Sequence, residues 1–221
     1  MAPVAELLAE GAAALDIPLS DALRARLSAF ADLIARANRN VNLVARGLSE
    51  RDLVERHLLD SLALLPLVGP LERVLDVGSG AGFPGLVLWL AAPGRALTLL
   101  EATAKRANFL HTAVRELQVR DVAVWQRRLE ALSAGPRATA PDLLLSRATF
   151  PPAEWLRRGA RLLPPGGRIV VMLARTGHEA TTLAAAELGL RLVAEQRLTL
   201  PWSGAVRCNR VYSSSPPTLV S

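Results

Sequence analysis

Three alternating glycines follow an acidic residue in the segment 74–85, which reads VLDVGSGAGFPG. The apolar, β-branched residues around Asp76 predict a strand, and the proline near the end of the segment opens an apolar run typical of a helix. Because glycine has no Cβ, the main chain at Gly78, Gly80 and Gly82 can approach a ligand closely. The segment therefore predicts a strand, a loop that binds a nucleotide or nucleoside, and a helix.

Two kinds of ligand fit this loop. Gly80, Gly82 and Gly85 match the GxGxxG pattern, in which a dinucleotide places its pyrophosphate at a helix N-terminus. Asp76 would repel a pyrophosphate, whereas it would attract the ammonium group of a cationic ligand. Glu101 ends the next apolar run, where a carboxylate can accept the ribose hydroxyls of an adenosine. The set is similar to the nucleoside-binding signature of class I S-adenosylmethionine methyltransferases, with a nicotinamide enzyme as the alternative.

Strand-like and helical runs alternate from residue 73 onward and must position these side chains. The alternation predicts an α/β fold, Rossmann-like, with a mostly parallel seven-stranded sheet, helices on both faces and a terminal hairpin. Ligands of such sheets bind beyond the carboxyl ends of the strands, near the switch in strand order, where Asp76, Glu101 and the segment 146–148 fall. The predicted strands are 73–77, 97–101, 121–126, 142–146, 168–173, 190–199 and 206–213, and the predicted helices are 84–92, 103–117, 152–163 and 176–188.

The residues before the glycine loop have the spacing of helices. An apolar stripe recurs every three or four residues over 23–34. Ser49 and Asp52 resemble a capping box that starts a helix extending to about Leu65. We therefore expect an N-terminal helical extension packed on the core, a methyltransferase domain and a disordered tail, which span 1–70, 71–213 and 214–221.

Composition excludes several classes of protein. The N-terminal 20 residues carry three acidic and no basic side chains, unlike a signal peptide, and no uncharged apolar run approaches the roughly 20 residues of a membrane span. The single cysteine excludes an intramolecular disulfide, so we expect a cytoplasmic protein without membrane contact. The net charge of +6 is compatible with nucleic-acid binding, although an arginine-rich composition also arises from GC-rich codons.

Side chains after two later strands fall at the same edge of the predicted sheet. Glu130 follows the third strand near the expected adenine position, where it could bind the base edge or belong to a surface turn. Arg147 follows the fourth strand, where a methyl acceptor would approach. It could hold a phosphate or a base, or pair with Asp76 or Glu130. His57 shares a helix face with apolar residues, which favours a hydrogen-bonded histidine in the core or at an interface.

The sequence does not contain the motifs that are typical of other kinds of methyltransferase. The segment after the fourth strand contains no Asn-Pro-Pro-Tyr or Asp-Pro-Pro-Tyr, so transfer to an exocyclic adenine amine is disfavoured. Cys208 has no Pro-Cys context for a covalent nucleophile. Neither paired carboxylates nor a histidine-rich cluster indicates a metal site.

Five segments occur in an order that makes the resemblance more specific. The chain resembles the bacterial 16S rRNA (guanine-N7) methyltransferase family, ribosomal RNA small subunit methyltransferase G, also called glucose-inhibited division protein B. The match spans about 38–167, and its most specific parts are the Arg-His-Leu-Leu-Asp-Ser and Gly-Phe-Pro-Gly elements. The segments are Asn38-x-x-x-Asn42-Leu43, Arg56-His57-Leu58-Leu59-Asp60-Ser61-Leu62, the segment 76–85, Lys105-Arg106-x-x-Phe109-Leu110 and Ser146-Arg147-Ala148.

The resemblance implies an enzyme that binds S-adenosylmethionine, leaves S-adenosylhomocysteine as product and needs no metal. Its implied substrate is N7 of a guanine in the decoding-region loop of 16S rRNA, in free rRNA or in the small ribosomal subunit, and we expect a monomer. The implied catalytic candidates are His57, Asp60 and Arg147, with Arg56 beside them at the active-site mouth. The implied cofactor contacts are Gly78, Phe83, Leu129, Glu130 and Arg147, with Glu101, Ala102 and Thr103 on the ribose side.

The chain departs from the family pattern at two places. The family usually carries a lysine after the fifth strand, for which Arg175 could substitute. A terminal Arg-His pair is only loosely matched by Arg207 and Arg210. A methyltransferase for another RNA or a small molecule, and a non-catalytic RNA-binding module, remain alternatives.

Overall fold

The structure is a computed structural model that describes residues 3–69, 73–94, 96–133, 140–174 and 176–214. The strands within these ranges all lie inside the segments that the sequence predicts, because most are short apolar runs bounded by turn residues. They are β1 Val74–Val77, β2 Leu97–Leu100, β3 Val122–Trp125, β4 Leu143–Ser146, β5 Arg168–Leu173, β6 Arg191–Thr199 and β7 Val206–Ser213.

The strands form one sheet in the order β3-β2-β1-β4-β5-β7-β6. The pairs from β3 to β5 are parallel, and β7 runs antiparallel between β5 and β6. The strand order changes direction between β1 and β4, which is the switch point where α/β sheets bind ligands. The predicted fold class, including the terminal hairpin of β6 and β7, is confirmed.

The register of the sheet brings the candidate residues to one edge. The last residue of β1 is level with the last residues of β2 and β4. Gly78, Glu101 and Arg147 follow those three residues directly in the chain. Three segments that are far apart in sequence therefore leave the sheet side by side.

Helices cover both faces of the sheet. On one face, α5, α6 and the N-terminal helices share a core with β-strand residues such as Leu99 and Val170. On the other face, α7 and α8 pack on a second core that includes Leu75 and Ile169. The helices are α1 Val4–Ala14, α2 Asp21–Ala37, α3 Glu50–Leu53, α4 Asp60–Leu62, α5 Gly85–Ala91, α6 Ala104–Glu116, α7 Pro152–Gly159 and α8 His178–Glu187.

The helix that carries His57 contains a π-helical segment, Val54–Leu59, between α3 and α4. Ser49 is the N-cap of this helix: the Asp52 amide donates to the Ser49 hydroxyl over 3.0 Å, and that hydroxyl donates to the Asp52 carboxylate over 2.7 Å. Hydrophobic periodicity predicts a regular helix here and does not reveal the wider turn. Such turns occur often at functional sites.

Some sequence predictions concern residues outside the described ranges. These are the domain boundary after residue 70, the candidate cation Arg175 and the predicted tail beyond Ser214. Ser214 itself is described, and its amide donates to the Gly167 carbonyl over 3.0 Å. In the described ranges, no helix has the length and apolar character needed to cross a membrane.

Candidate active site

A cavity of about 520 Å³ opens at the carboxyl ends of β1, β2 and β4. Its volume lies within the range of about 300–1,000 Å³ that is usual for small-molecule sites. Asp76, Gly82 and Thr103 do not line it. The predicted cofactor residues that do line it are Gly78, Gly80, Phe83, Glu101, Ala102, Leu129, Glu130 and Arg147.

Glu101 is held in the cavity wall by two main-chain N–H groups. One carboxylate oxygen accepts from Gly80 N over 3.0 Å, and the other accepts from Thr103 N over 2.8 Å. The residue is only 5% exposed. Because each carboxylate oxygen can accept two hydrogen bonds, both oxygens keep capacity for ribose hydroxyls. Thr103 thus contributes to the site by orienting Glu101.

Asp76 lies fully buried beneath the glycine loop. One of its carboxylate oxygens accepts from Gly85 N over 3.0 Å, and the other has no hydrogen-bond partner in the structure. Burial is the main cause that raises the pKa of Asp76 to about 7. A ligand ammonium group is the kind of partner this oxygen lacks. Direct contact with the cofactor stays a prediction, because Asp76 does not line the cavity.

Two of the loop glycines are needed for different steric reasons. Gly78 has φ +71°, and a Cβ there would lie 2.1 Å from Thr149 Oγ1. Gly82 has φ +94° and faces the core, where a Cβ would lie 3.1 Å from the Phe30 ring and 3.2 Å from Leu86 Cβ. Gly82 therefore lets the loop pack against α2, whereas Gly78 forms part of the cavity wall.

The steric role of Gly78 predicts that Gly78→Ala lowers the free energy of unfolding more than Gly47→Ala does. Gly47 has a similar φ of +74°, but a Cβ there would have no neighbour within 4 Å. The left-handed backbone costs each variant about 1 kcal/mol, and the contact with Thr149 adds about 1–3 kcal/mol for Gly78→Ala alone. Urea unfolding measures both losses. Equal losses for the two variants would contradict the contact with Thr149.

Leu129 and Glu130 lie on the side where an adenine is expected. Leu129 is nearly buried and offers an apolar surface to the cavity. Glu130 is exposed, and its carboxylate forms an ion pair with Arg158 of α7. Arg158 also pairs with Glu154 and lies over the ring of Phe150, 4.8 Å from its centroid. Sequence reasoning did not identify Arg158. The contact of Glu130 with adenine stays a prediction.

Arg147, His57 and Phe83 form one cluster at the cavity wall. Nη2 of Arg147 lies 2.6 Å from Nδ1 of His57, and Nη1 donates to the Arg56 carbonyl over 2.8 Å. The guanidinium lies 5.0 Å from the Phe83 ring centroid, and His57 stacks on the same residue at 4.9 Å. The sequence analysis also considers Asp76 or Glu130 as a partner of Arg147. Among the described residues, Arg147 forms a hydrogen bond or close ion pair with neither carboxylate.

His57 is a neutral hydrogen-bond acceptor in this cluster. Arginine can only donate, so Nδ1 of His57 accepts and the ring proton is assigned to Nε2. Burial, followed by the positive charge of Arg147, lowers the pKa of His57 to about 3. The ring therefore stays uncharged near neutral pH, and it does not serve as a proton donor by becoming imidazolium.

The depressed pKa of His57 predicts a pH-dependent stability. Between pH 6.5 and about 3 the unfolded chain binds a proton at His57 that the folded chain does not. The contribution of His57 to stability therefore falls as pH drops through this window, by at most about 1.4 kcal/mol per pH unit. Unfolding of wild type and of His57→Gln at several pH values measures this difference. A difference that is constant with pH would contradict it.

Asp60 lines a second cavity of about 500 Å³ that adjoins the first. Asp60 is 4% exposed, and both its carboxylate oxygens accept from Nε of Arg207, over 3.1 and 3.2 Å. Burial raises the pKa of Asp60, and the charge of Arg207 opposes that shift. Arg207 of β7 thus belongs to the site. Arg210 pairs instead with Glu195 of β6 over 2.7 Å.

The loop that follows α2 closes one side of the first cavity. Asn38 Oδ1 accepts from the amides of Leu43 and Val44, over 2.8 and 3.0 Å. Arg106 of α6 donates to the Asn42 carbonyl over 3.2 Å, and both Leu43 and Arg106 line the cavity. The two asparagines belong to the first of the five segments that carry the family resemblance.

The cavity fits S-adenosylmethionine. An oriented carboxylate, Glu101, lines it with capacity for further donors, and a glycine main chain forms the adjacent wall. Beneath the glycine loop, a buried oxygen of Asp76 lacks a partner. With the strand order described above, the chain is a class I S-adenosylmethionine-dependent methyltransferase.

The model of the GidB family, described as rRNA small subunit methyltransferase G, matches residues 23–200. The chain belongs to this family, and the resemblance seen in the sequence is confirmed.

Two relatives agree with this assignment, and a solved structure shares the fold. The chain is 38% identical to ribosomal RNA small subunit methyltransferase G of Anaeromyxobacter sp. (strain Fw109-5), over 90% of this chain and 93% of the relative. It is 36% identical to the protein of that name from Myxococcus xanthus (strain DK1622), over 93% and 95%. The fold is similar to that of 1,6-didemethyltoxoflavin-N1-methyltransferase of Burkholderia thailandensis, with TM-score 0.56, 15% identity and coverage of 90% and 92%.

Proposed function

We propose that this protein transfers a methyl group from S-adenosylmethionine to N7 of a guanine in small-subunit (16S) rRNA. The observation that carries the proposal is the meeting of two cavities at His57 and Arg147. The first cavity would hold the cofactor, and the second would admit the base. Membership of the rRNA small subunit methyltransferase G family supports the choice of rRNA as substrate.

Transfer to N7 requires little acid–base chemistry from the protein. When bound, S-adenosylmethionine supplies an activated methyl group, to which N7 bonds with its lone pair while the methyl–sulfur bond breaks and its electrons stay on sulfur, leaving S-adenosylhomocysteine. Neutral guanine carries no proton on N7, so no base has to remove one. A His57 with pKa about 3 and an occupied Nδ1 suits such a site.

The proposed work of the protein is to orient the reactants. Glu101 holds the ribose, and Arg147 lies between the two cavities with its guanidinium fixed by His57 and the Arg56 carbonyl. Alignment of this kind can supply up to about 7–11 kcal/mol of the barrier reduction. Phe83 is 3% exposed and stacks with His57, so its proposed role is to support the cluster.

The substrate must present an unstacked base, because the edge of a stacked guanine does not reach into a cavity. Arg127 and Arg128 are exposed at the rim of the first cavity and could contact phosphates. The proposed active species is a monomer. The proposed substrate is 16S rRNA, either free or in the small ribosomal subunit, and the proposed location of the reaction is the cytoplasm.

The N-terminal extension proposed for residues 1–70 has a part in this site. Its π-helical segment carries His57, and Asp60 follows directly. Both residues line the second cavity. We therefore propose that this extension helps to form the acceptor side of the enzyme, meaning the second cavity, which would admit the base.

The proposal is tested by incubating the protein and labelled S-adenosylmethionine with small ribosomal subunits from cells that lack the gene. We expect label at one guanine, detected as N7-methylguanine after digestion and mapping of the rRNA. Large-subunit rRNA and a metabolite extract serve as control acceptors. Label confined to the metabolites, or label on rRNA at a different atom, would contradict the proposed function.

A further inference from the structure

We propose that Asp60 recognises the acceptor guanine by accepting hydrogen bonds from its N1–H and N2–H₂ groups, and that Arg207 positions Asp60 to do so. This inference rests on the proposed function, since it assumes a guanine that reacts at N7. It assigns the second cavity as the site of the base and gives the buried ion pair a role in selecting guanine.

The arrangement of the two cavities places Asp60 on the correct side of the base. Arg147 and His57 line both cavities, so the reacting atom belongs at this boundary. Asp60 and Arg207 line the second cavity and do not line the first. On guanine, N7 belongs to the five-membered ring, whereas N1 and the N2 amino group belong to the six-membered ring and lie away from N7. A guanine with N7 at the boundary therefore directs its N1 and N2 groups into the second cavity, toward Asp60.

The chemistry of Asp60 suits guanine and disfavours adenine. Both carboxylate oxygens share the single Nε–H of Arg207, at 3.1 and 3.2 Å. Because an ionised carboxylate can accept about four hydrogen bonds, it keeps capacity for two more. Guanine offers donors at N1 and N2, whereas adenine offers a lone pair at N1, which a carboxylate repels.

Among the described residues that line this cavity, Asp60 is the only acidic one. The other charged side chains there, Arg56, Arg147 and Arg207, can only donate hydrogen bonds. Methylation at N7 makes the purine a cation. A carboxylate on the far side of the base is then favourable for the charge that develops. The same residue would therefore contribute both to selection and to the stability of the product state.

Arg207 acts through Asp60. Its Nη1 donates to the Val206 carbonyl over 3.3 Å, and its Nε holds the carboxylate, so the guanidinium is fixed to β7. Asp60 begins α4, directly after the π-helical segment. Without Arg207 the buried carboxylate would lose its hydrogen-bonded cationic partner and its fixed orientation, although the charge of Arg147 would still act on it. Arg207 is thus a positioning residue.

The test compares guanine with inosine, which lacks the N2 amino group and keeps N7. Small subunits are reconstituted with rRNA that carries either base at the position methylated by the wild-type protein. We expect wild type to prefer guanine by about 10- to 100-fold in kcat/KM, which is the range for a lost hydrogen bond to a charged group. In Asp60→Asn and Arg207→Met we expect the preference to shrink toward equality, while the affinity for S-adenosylhomocysteine stays unchanged.

Glu195→Gln is the matched control. It breaks another carboxylate–arginine pair that involves β7, the pair between Glu195 of β6 and Arg210 of β7. It should keep the full preference for guanine. Equal use of inosine and guanine by wild type overturns the inference, and this result does not depend on the folding of any variant. An undiminished preference in a folded Asp60→Asn also overturns it. No transfer by wild type to either particle overturns the proposed function instead.

Discussion

Glu101→Gln is expected to weaken the binding of S-adenosylhomocysteine by about 100-fold. The carboxylate accepts from Gly80 N and Thr103 N and retains capacity for two ribose hydroxyls. Glutamine keeps the shape, but its amide nitrogen must face a main-chain donor and a hydroxyl that both need an acceptor. Hydrogen bonds to charged groups contribute about 1.5–3 kcal/mol each, and each 1.4 kcal/mol changes affinity tenfold. Isothermal titration calorimetry measures the change.

Glu116→Gln is the control for this experiment. Glu116 ends α6, is exposed and pairs with Arg36 on the surface, away from the cavity lining. The affinity of Glu116→Gln for S-adenosylhomocysteine should equal that of wild type. An unchanged affinity in Glu101→Gln would remove Glu101 from the cofactor site.

Arg147→Ala is expected to lower kcat/KM for methyl transfer to small ribosomal subunits by about 100- to 1,000-fold. Arg147 lies at the boundary of both cavities and holds His57 through a contact of 2.6 Å. Its removal frees His57 and leaves the base without its fixed neighbour, and a misplacement of about 1 Å can cost 100-fold. Transfer of labelled methyl groups under single-turnover conditions measures the loss.

Arg36→Ala controls for the loss of an arginine. The Arg36 side chain pairs with Glu116 on the surface, away from the cavity lining, so the rate should stay unchanged. Circular dichroism and urea unfolding establish that Arg147→Ala is folded. A folded Arg147→Ala with the wild-type rate would show that Arg147 does not orient the reactants.

The fold and the cofactor side of the site could be predicted because their signals are local. Most strands are short apolar runs between turn residues, and the glycines at 78, 80 and 82 follow the first strand. Parallel strands align their carboxyl ends, so the proximity of Glu101 to the glycine loop follows from the alternation of elements alone. The structure adds the two main-chain N–H groups that orient this carboxylate.

The acceptor side could not be predicted in detail because it depends on contacts between distant segments. Arg147 meets His57 across 90 positions, and Arg207 meets Asp60 across 147. The π-helical segment that carries His57 has no distinct hydrophobic period, so the sequence predicts an ordinary helix. The expectation of a core histidine was partly right, since His57 is largely buried and hydrogen-bonded, but its partner is the arginine of the site.

The central claim is that the first cavity holds the nucleoside part of S-adenosylmethionine against Glu101. A crystal structure of the protein with S-adenosylhomocysteine tests it most directly. We predict the ribose hydroxyls within hydrogen-bond distance of the Glu101 carboxylate and the adenine beside Leu129. A ligand bound elsewhere, or a cavity that admits a nicotinamide dinucleotide and excludes S-adenosylhomocysteine, would contradict the claim.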